Sequence, residues 1–424
     1  MLQLSKLEDL DIQLIDGDRG ENYPSRDEFY ENEYCLFLDA NNITSNGFDF
    51  SSTHFITKEK DTKLRNGKLQ RNDIVIMTRG SVGNIALYDN SIKFPNIRIN
   101  SGMLIIRCEK LINPLNVYYQ FKSPIVIKQI NDFMSGSVQK QLPVSILKEI
   151  KIFTCSKNNA YFLKLIDDKI ALNNKTNTEL ENMAKTIYDY WFTQFDFPDK
   201  KGHPYKTSSG QMVYNETLKR EIPAGWEGFK LEKCLSRIAT GLNPRDNFVL
   251  GKGNIKYLTV KNLNTDGTID FSNCDLIDEE ALKLVHARSD IKEGDILFAS
   301  IAPLGRCYLI QDTPKGWDIN ESVFSIRPNT DLISSIYLYM FFMDESFVKL
   351  AQSNSTGSVF KGIRINDLYS IPILVPEKQI MEKFSETITP IMNMKYRVEK
   401  ENKELIELRD YLLPLLMNGQ IEVK

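Results

Sequence analysis

Histidine and cysteine are scarce in this chain of 424 residues, and neither is clustered. None of the three histidines forms a spaced pair with cysteine, aspartate or glutamate, which argues against a histidine-dependent triad or metal site. The cysteines form no CxxC pair, so we predict free, mostly buried thiols and a reducing, cytoplasmic compartment. They are Cys35, Cys108, Cys155, Cys234, Cys274 and Cys307.

Long apolar segments and nucleotide-binding loops are also missing. The longest strongly apolar run, residues 336–343, is far shorter than the roughly 20 residues needed to cross a bilayer. The acidic N-terminal stretch lacks the apolar core of a signal peptide, so we expect no membrane partner. Neither a G-x-x-x-x-G-K-[ST] phosphate loop nor a G-x-G-x-x-G fingerprint occurs. We therefore predict no catalytic residue, no metal and no cofactor, and that the chain alone is not an enzyme.

Positive charge is not in excess. The formal net charge is -3 and the pI is about 5.9, whereas nucleic-acid-binding domains usually have a pI above ~9. Any DNA-binding site must therefore consist of local patches, or be completed by another subunit.

What the chain does contain is one pattern written twice. Asp73-Ile74-Val75 recurs as Asp295-Ile296-Leu297, 222 residues later (295 minus 73). Gly136-Ser137-Val138 recurs as Gly357-Ser358-Val359, 221 residues later (357 minus 136). A period of this length is too long for a solenoid repeat and indicates a duplicated domain.

Each copy begins with short apolar runs separated by turn signals and ends in a long helical stretch. We predict an α+β fold with two similar globular domains and two long helices. The predicted boundaries are a first domain at 1–156, a helix at 157–198, a linker with a second domain at 199–376, and a second helix at 377–424.

Apolar residues recur every seven positions in the second helical stretch, and in the first with Asn173 in the same row, which favours coiled-coil packing. The alternative is two amphipathic helices, each packed on its own domain. The residues assigned to the helix seam are Leu180, Ile187, Ile391, Val398, Leu405 and Leu412. Asn177 and Asn402 lie near that seam, where a buried pair could set the register, although exposed asparagines explain them equally well. The first helix has four more residues than the second between matched anchors, or about 6 Å.

Polar loop residues stand at matched places in the two copies. Arg and Lys can read guanine or hold phosphates, and Asn and Gln can pair with adenine. A solvated loop with no ligand is the ordinary explanation for any single member. The candidate DNA-binding residues are Asn41, Asn42, Arg79, Ser81, Asn84, Ser137, Gln139 and Lys140 in the first copy, and Lys261, Asn262, Ser300, Arg306, Ser358, Lys361 and Arg364 in the second.

Two motifs carry a family resemblance. Ile187-Tyr188-Asp189-Tyr190-Trp191-Phe192 continues into QFDFP, and residues 408–419 read LRDYLLPLLMNG. With the duplication, these motifs make the chain resemble, along its full length, the specificity (S) subunits of type I restriction-modification systems. One departure is that Ile222-Pro223-Ala224-Gly225-Trp226 precedes only the second copy, although the family often carries such a segment before the first as well.

The resemblance implies two target-recognition domains, each of which reads one half of a split DNA sequence. It implies that the two helices pack antiparallel as a spacer, with a pseudo-two-fold internal duplication, and that Trp191 and Phe192 belong to this helical region. It also implies three partners: double-stranded DNA, two modification (M) methyltransferase subunits and a restriction (R) subunit.

Three other functions remain open from the sequence. A stand-alone regulator that reads two half-sites would bind DNA tightly without M subunits. A self-contained methyltransferase or nuclease would act on DNA alone. A scaffold would bind M subunits and leave DNA unrecognised.

Overall fold

The computed structural model describes residues 4–109, 111–135, 141–154, 157–302, 304–353 and 362–424. The chain forms two compact units. Unit 1 contains Met1–Asn173 and Glu401–Lys424, and unit 2 contains Asn174–Lys400. Each long helix therefore contributes to both units. The predicted domain boundaries followed helix ends and remain predictions.

Unit 1 is built on a four-stranded antiparallel sheet of order β2-β10-β7-β8, beside a three-stranded sheet of order β6-β3-β9 in which β3 and β9 run parallel. Its strands are β1 (Leu4–Lys6), β2 (Ile12–Asp16), β3 (Cys35–Phe37), β4 (Ile43–Thr44), β5 (Gly47–Phe48), β6 (Phe55–Ile56), β7 (Ile74–Met77), β8 (Ile85–Leu87), β9 (Ile97–Arg98), β10 (Met103–Cys108) and β11 (Lys151–Phe153). Its short helices are α1 (Lys58–Lys63), α2 (Pro114–Lys122), α3 (Pro124–Ser135) and α4 (Val144–Glu149).

Strand β7 shows why this sheet forms. All four of its residues are buried, and alternate side chains point to opposite faces of a strand. Ile74 and Ile76 pack in a cluster with α2, whereas Val75 and Met77 pack in a second cluster with β3 and β9. The sheet is covered on both faces, which explains the continuous apolar run in the sequence.

Unit 2 repeats this plan, with sheets of order β15-β21-β18-β19 and β17-β16-β20, and β16 and β20 run parallel. Its strands are β12 (Met212–Asn215), β13 (Arg220–Pro223), β14 (Glu227–Lys230), β15 (Leu235–Thr240), β16 (Ile255–Leu258), β17 (Asp275–Ile277), β18 (Ile296–Ala299), β19 (Cys307–Leu309), β20 (Trp317–Ile319), β21 (Val323–Pro328) and β22 (Pro372–Val375). Its short helices are α6 (Leu231–Cys234), α7 (Glu279–Ser289), α8 (Ser335–Met343), α9 (Glu345–Ser353) and α10 (Ile365–Tyr369).

The long helices are α5 (Lys157–Tyr188), which continues into a π-helical turn at Asp189–Thr193, and α11 (Lys378–Met417). In unit 1, Asp167 bonds Arg409 and Asn173 bonds Asn402, so residue numbers rise along one helix as they fall along the other. Within unit 2, Glu181 contacts Lys395 in the same antiparallel sense. The α+β class and the antiparallel helix pair are confirmed, and helices packed only on their own domains are excluded.

Some of the predicted helix residues pack on the domain cores: Ile187, Trp191, Phe192 and Ile391 in unit 2, and Leu412 in unit 1. Leu180, Trp191 and Phe192 are buried, and the other predicted positions are partly buried. The buried partner of Asn402 is Asn173, with a distance of 2.9 Å from Nδ2 of Asn173 to Oδ1 of Asn402. Asn177 does not form that pair, and its Oδ1 is buried without a hydrogen-bond partner. No helix in the described part of the chain is long and apolar enough to cross a membrane.

Candidate DNA-recognition loops

The loop after β7 in unit 1 is fixed by bonds to two neighbouring segments. The hydroxyl of Thr78 donates to the carbonyl of Gly102 over 2.9 Å. The backbone N–H of Leu142 donates to the carbonyl of Thr78 over 2.9 Å, and Arg79 forms a β-bridge with Gln141. The end of β7, the turn at Gly102 and the segment before α4 therefore meet at one edge of the sheet.

Unit 2 repeats these bonds after β18. The hydroxyl of Ser300 donates to the carbonyl of Ser322 over 2.7 Å. The N–H of Ile363 donates to the carbonyl of Ser300 over 2.8 Å, and Ile301 bridges Gly362. Ser300 is 6% exposed. Its hydroxyl therefore holds the loop, and its role as a DNA contact remains a prediction.

Asn42 and Asn262 are a second matched pair, and both are buried. The Nδ2 group of Asn42 donates to the carbonyls of Asp49 and Ser52. That of Asn262 donates to the carbonyls of Asp270 and Asn273. These amides are enclosed and hydrogen-bonded to the backbone, so both residues stabilise their turns. That they contact DNA remains a prediction.

Asn84 and Arg306 also act alike. Nδ2 of Asn84 donates to the carbonyl of Ile43 over 3.2 Å, and Nη1 of Arg306 donates to that of Leu263 over 3.1 Å. Both side chains are partly buried. Each ties the loop after the central strand to the turn that follows a 3-10 helix, so the matched polar positions describe a shared scaffold.

A different set of candidate residues is exposed on these loops. In unit 1, Asn41, Arg79 and Ser81 are exposed, and in unit 2, Lys261 and Arg364 are exposed. Arg79 corresponds in the scaffold to Ile301, because each forms the bridge that follows the central strand. The exposed residues on these loops thus differ between the units, whereas the buried Asn42 and Asn262 agree. Ser137, Gln139, Lys140, Ser358 and Lys361 lie outside the described residues.

One arginine–aspartate ion pair below the loops is present in both units. Nε and Nη2 of Arg107 donate hydrogen bonds to the two carboxylate oxygens of Asp73, and Arg327 donates to Asp295 in the same way. Each carboxylate also accepts a backbone N–H from the turn before its strand. This bidentate arrangement fixes the start of the central strand in both units. Across the described residues, no group of three His, Cys, Asp or Glu side chains is placed to hold a metal ion.

Comparison with known proteins assigns both copies of the duplicated pattern to one family. The family model described as "Type I restriction modification DNA specificity domain" matches residues 6–182 and again residues 223–408. The chain belongs to this family.

Several relatives of this family are specificity subunits. The chain is 25% identical to the type I restriction enzyme MjaIX specificity subunit of Methanocaldococcus jannaschii, over 83% of this chain and 78% of that protein. It is 22% identical to the HindI specificity subunit of Haemophilus influenzae, over 96% of this chain and 98% of that protein. The crystal structure of the S subunit of a type I restriction-modification system from M. genitalium shares the fold, with a TM-score of 0.59, 13% identity, and coverage of 100% of this chain and 97% of that chain.

Two residues at the loop edge of this type I specificity chain were missed by sequence reasoning. Arg19 is exposed, and its Nη2 donates to the carbonyl of Ser101. Glu321 has a buried Oε2 without a hydrogen-bond partner. Both lie beside a tight glycine. A Cβ on Gly17 would lie 2.2 Å from the carbonyl oxygen of Asn100, and one on Gly241 would lie 1.7 Å from that of Ile319. The sequence signal was a glycine at the end of the first long strand of each copy.

Proposed function

We propose that this chain is the DNA-recognition subunit of a type I restriction-modification complex. Each domain reads one half of a bipartite target in double-stranded DNA, and the chain itself is not catalytic. The observation that carries this proposal is that two copies of a DNA-specificity domain keep one loop scaffold and differ in the side chains exposed on it. A constant scaffold with variable surface residues suits two recognition surfaces with different sequence preferences.

Two M subunits and an R subunit are the proposed protein partners, with M subunits docked on the helices. On α5, Tyr161 and Leu165 are 57% and 48% exposed, and on α11, Leu408 and Tyr411 are 44% and 69% exposed. Tyr161 and Leu165 are four residues apart, and Leu408 and Tyr411 are three apart, so at 100° per residue the members of each pair lie on the same side of their helix. Large exposed apolar side chains grouped on one face mark interaction surfaces.

The helix pair is also the proposed spacer between half-sites. Its length and register would set the number of unread base pairs, because helices with a buried seam are rigid at 1.5 Å per residue. Deletion of four residues between Leu180 and Asp189 should shorten the preferred gap and leave both half-sites unchanged. A mutant that folds, methylates DNA and keeps the wild-type gap would refute the spacer role.

The first experiment is to co-express the chain with an M subunit encoded beside it and to map methyladenine across the host genome. A split motif with one methylated adenine in each half and a fixed gap is expected. A stable complex with M that adds no methylation would instead support a scaffold. Tight binding of the isolated chain to a bipartite site would favour the stand-alone regulator.

The docking surface can be tested separately. Tyr161→Asp with Leu165→Asp should abolish capture of M and leave the thermal unfolding of the chain unchanged. Ala171→Asp, at another exposed position of α5, is the control and should keep binding. Equal capture by both variants would contradict docking on this face.

A further inference from the structure

Lys395 of α11 is a buried cation that joins three elements of unit 2. Its side chain is 4% exposed. Its Nζ lies 3.0 Å from Oε1 of Glu181 on α5 and 2.8 Å from Oε1 of Glu399 on α11. The same Nζ donates to the backbone carbonyl of Asp266 over 3.0 Å. Asp266 belongs to the turn between β16 and β17, so one side chain links both helices to the second domain.

The turn at Asp266 is held from its other side by α8. Gly267 has φ +75, and a Cβ there would lie 2.1 Å from the hydroxyl oxygen of Tyr339, which is buried on α8. The turn is closed by two hydrogen bonds that Asn264 donates, from its backbone N–H to the carbonyl of Thr268 and from Nδ2 to the hydroxyl of Thr268. It follows directly on the 3-10 turn that exposes Lys261.

Removing these three charged groups from water has a desolvation cost. Burial raises the pKa of Glu181 and of Glu399 above their ordinary values, because the charged carboxylates lose water. Burial also acts to lower the pKa of Lys395, but Tyr339, Glu399 and Glu181 together raise it above its ordinary value. Apolar side chains of similar size often stabilise a fold as well as a buried ion pair does. A buried ion pair can instead fix one geometry among several.

Unit 1 has a different arrangement at the corresponding turn. Gly47 ends the turn between β4 and β5 with φ +108, and no atom lies within 4 Å of the position of its Cβ. The hydrogen bonds described for this turn come from Thr44, Asn46 and the paired strands. Among the described residues, a long-helix lysine therefore bonds this particular turn in unit 2 only, whereas in unit 1 Lys164 of α5 lies 3.1 Å from Asp89, which follows β8.

We propose that Lys395 is a positioning residue that fixes the recognition loops of the second domain on the helix pair, and so fixes the distance at which the second half-site is read. This inference rests on the proposed function. It locates part of the gap specificity in one side chain, separately from helix length.

The test is Lys395→Met in the complex with the M subunit, assayed on a DNA library in which both half-sites are constant and the gap varies. Methylation of sites whose gap is one base pair longer or shorter should rise to within roughly tenfold of methylation at the wild-type gap. A change of this size is about the effect of losing one charge-assisted hydrogen bond. Both half-site sequences should be unchanged. Lys395→Arg should retain the narrow gap, and Lys383→Met, an exposed position on the same helix, is the matched control.

Hydrogen exchange of the isolated chain gives a second readout that does not depend on activity. Amides of residues 262–268 should exchange faster in Lys395→Met and not in Lys383→Met. If Lys395→Met does not fold, Gly267→Ala should loosen the same turn from the Tyr339 side and broaden the gap.

The outcomes separate the inference from the proposed function. An unchanged gap in a folded Lys395→Met complex, or loss of the second half-site alone, would overturn the positioning role. Absence of split-motif methylation by the wild-type complex would overturn the proposed function, while the exchange result would still report on the anchor.

Discussion

The parallel strand pair beside the main sheet carries opposite charges in the two units. In unit 1, Arg98 on β9 lies opposite Phe37, and its guanidinium bonds Asp61 on α1 over 2.6 Å. In unit 2, Asp318 on β20 lies opposite Tyr257, and Oδ2 of its carboxylate lies 2.9 Å from Nδ1 of His286 on α7. The same sheet position thus holds a buried cation in one domain and a buried anion in the other.

The scaffold below the loops did not diverge in this way. Asp73 and Asp295 keep the same bidentate arginine, and Asn42 and Asn262 keep the same pattern of carbonyl acceptors. This difference teaches where a duplicated recognition domain tolerates change. Backbone-capping side chains have acceptors at fixed positions and resist substitution, whereas the pairing of Arg98 on a strand with Asp61 on a helix is replaced by that of Asp318 on a strand with His286 on a helix.

The largest expected loss of stability tests whether the two units share the same scaffold. Gly17→Ala and Gly241→Ala should each destabilise their own unit by about 4 kcal/mol or more, because the new methyl group would overlap a backbone carbonyl. Hydrogen exchange measured unit by unit checks this. Gly80→Ala is the control, since open space surrounds its Cβ and only the strain of its positive φ, about 1–2 kcal/mol, is expected. Unequal losses at Gly17 and Gly241 would show that the two scaffolds are not equivalent.

The second prediction concerns the inverted ion pairs. Arg98→Met should cost unit 1 about 3–5 kcal/mol, because it breaks a buried ion pair and leaves the carbonyls of Asn66 and Leu64 without their donor. Asp318→Asn should cost unit 2 about 1 kcal/mol or less, since the amide can still accept from the N–H of Ile319 and removes a buried charge. Chemical denaturation, monitored by hydrogen exchange in each unit, measures both losses of stability. Equal losses in the two units would contradict the predicted difference between the Arg98 and Asp318 sites.

A pH titration sharpens the same contrast. Burial raises the pKa of Asp318 above 3.8. Its contribution to stability is therefore complete below pH 3.8 and is lost as the pH rises through the raised pKa. Burial also acts to raise the pKa of Asp61, but Lys68 and Arg98 lower it below 3.8. Its contribution is present above pH 3.8 and is lost as the pH falls through the lowered pKa. Asp318→Asn should remove the first dependence and leave the second.

The third prediction is a matched, smaller loss. Asn42→Ala and Asn262→Ala should each cost about 1–3 kcal/mol, because each substitution removes two partly buried hydrogen bonds from a turn. Thermal unfolding measures the loss, and Asn41→Ala, at the exposed neighbouring position, should be nearly neutral. A neutral result at Asn42 with a large one at Asn262 would indicate different turns.

These residues also show how far the sequence could predict the structure. The apolar runs of β7 and β18, the duplication and the long helices were predictable, because periodicity and repetition are local signals. The matched polar positions were found, but the burial and backbone hydrogen bonds of Asn42, Asn262 and Ser300 were not predicted, because a sequence does not tell a capping side chain from an exposed one. Arg19 was missed since its partner Ser101 lies 82 positions away (101 minus 19). The division of each long helix between two units depends on tertiary packing that no local pattern records.

The smallest expected effect on stability, and the one that bears most directly on recognition, is at Arg79 and its counterpart Ile301. Both are exposed, and each differs from the residue at the same scaffold position in the other domain. Arg79→Ala and Ile301→Ala should change the free energy of unfolding by no more than about 0.5 kcal/mol. If Arg79 reads a base, its loss should weaken discrimination at one position of the first half-site by about 1–3 kcal/mol, and Ile301→Ala should leave that half-site untouched. Methylation of a library randomised in both half-sites measures this.

Uniform weakening by Arg79→Ala across all sequences, with a shallower salt dependence, would make Arg79 a phosphate contact, because loss of a phosphate contact changes affinity without changing preference. Only loss confined to the first half-site would show that divergence of exposed residues on a constant scaffold separates the two specificities.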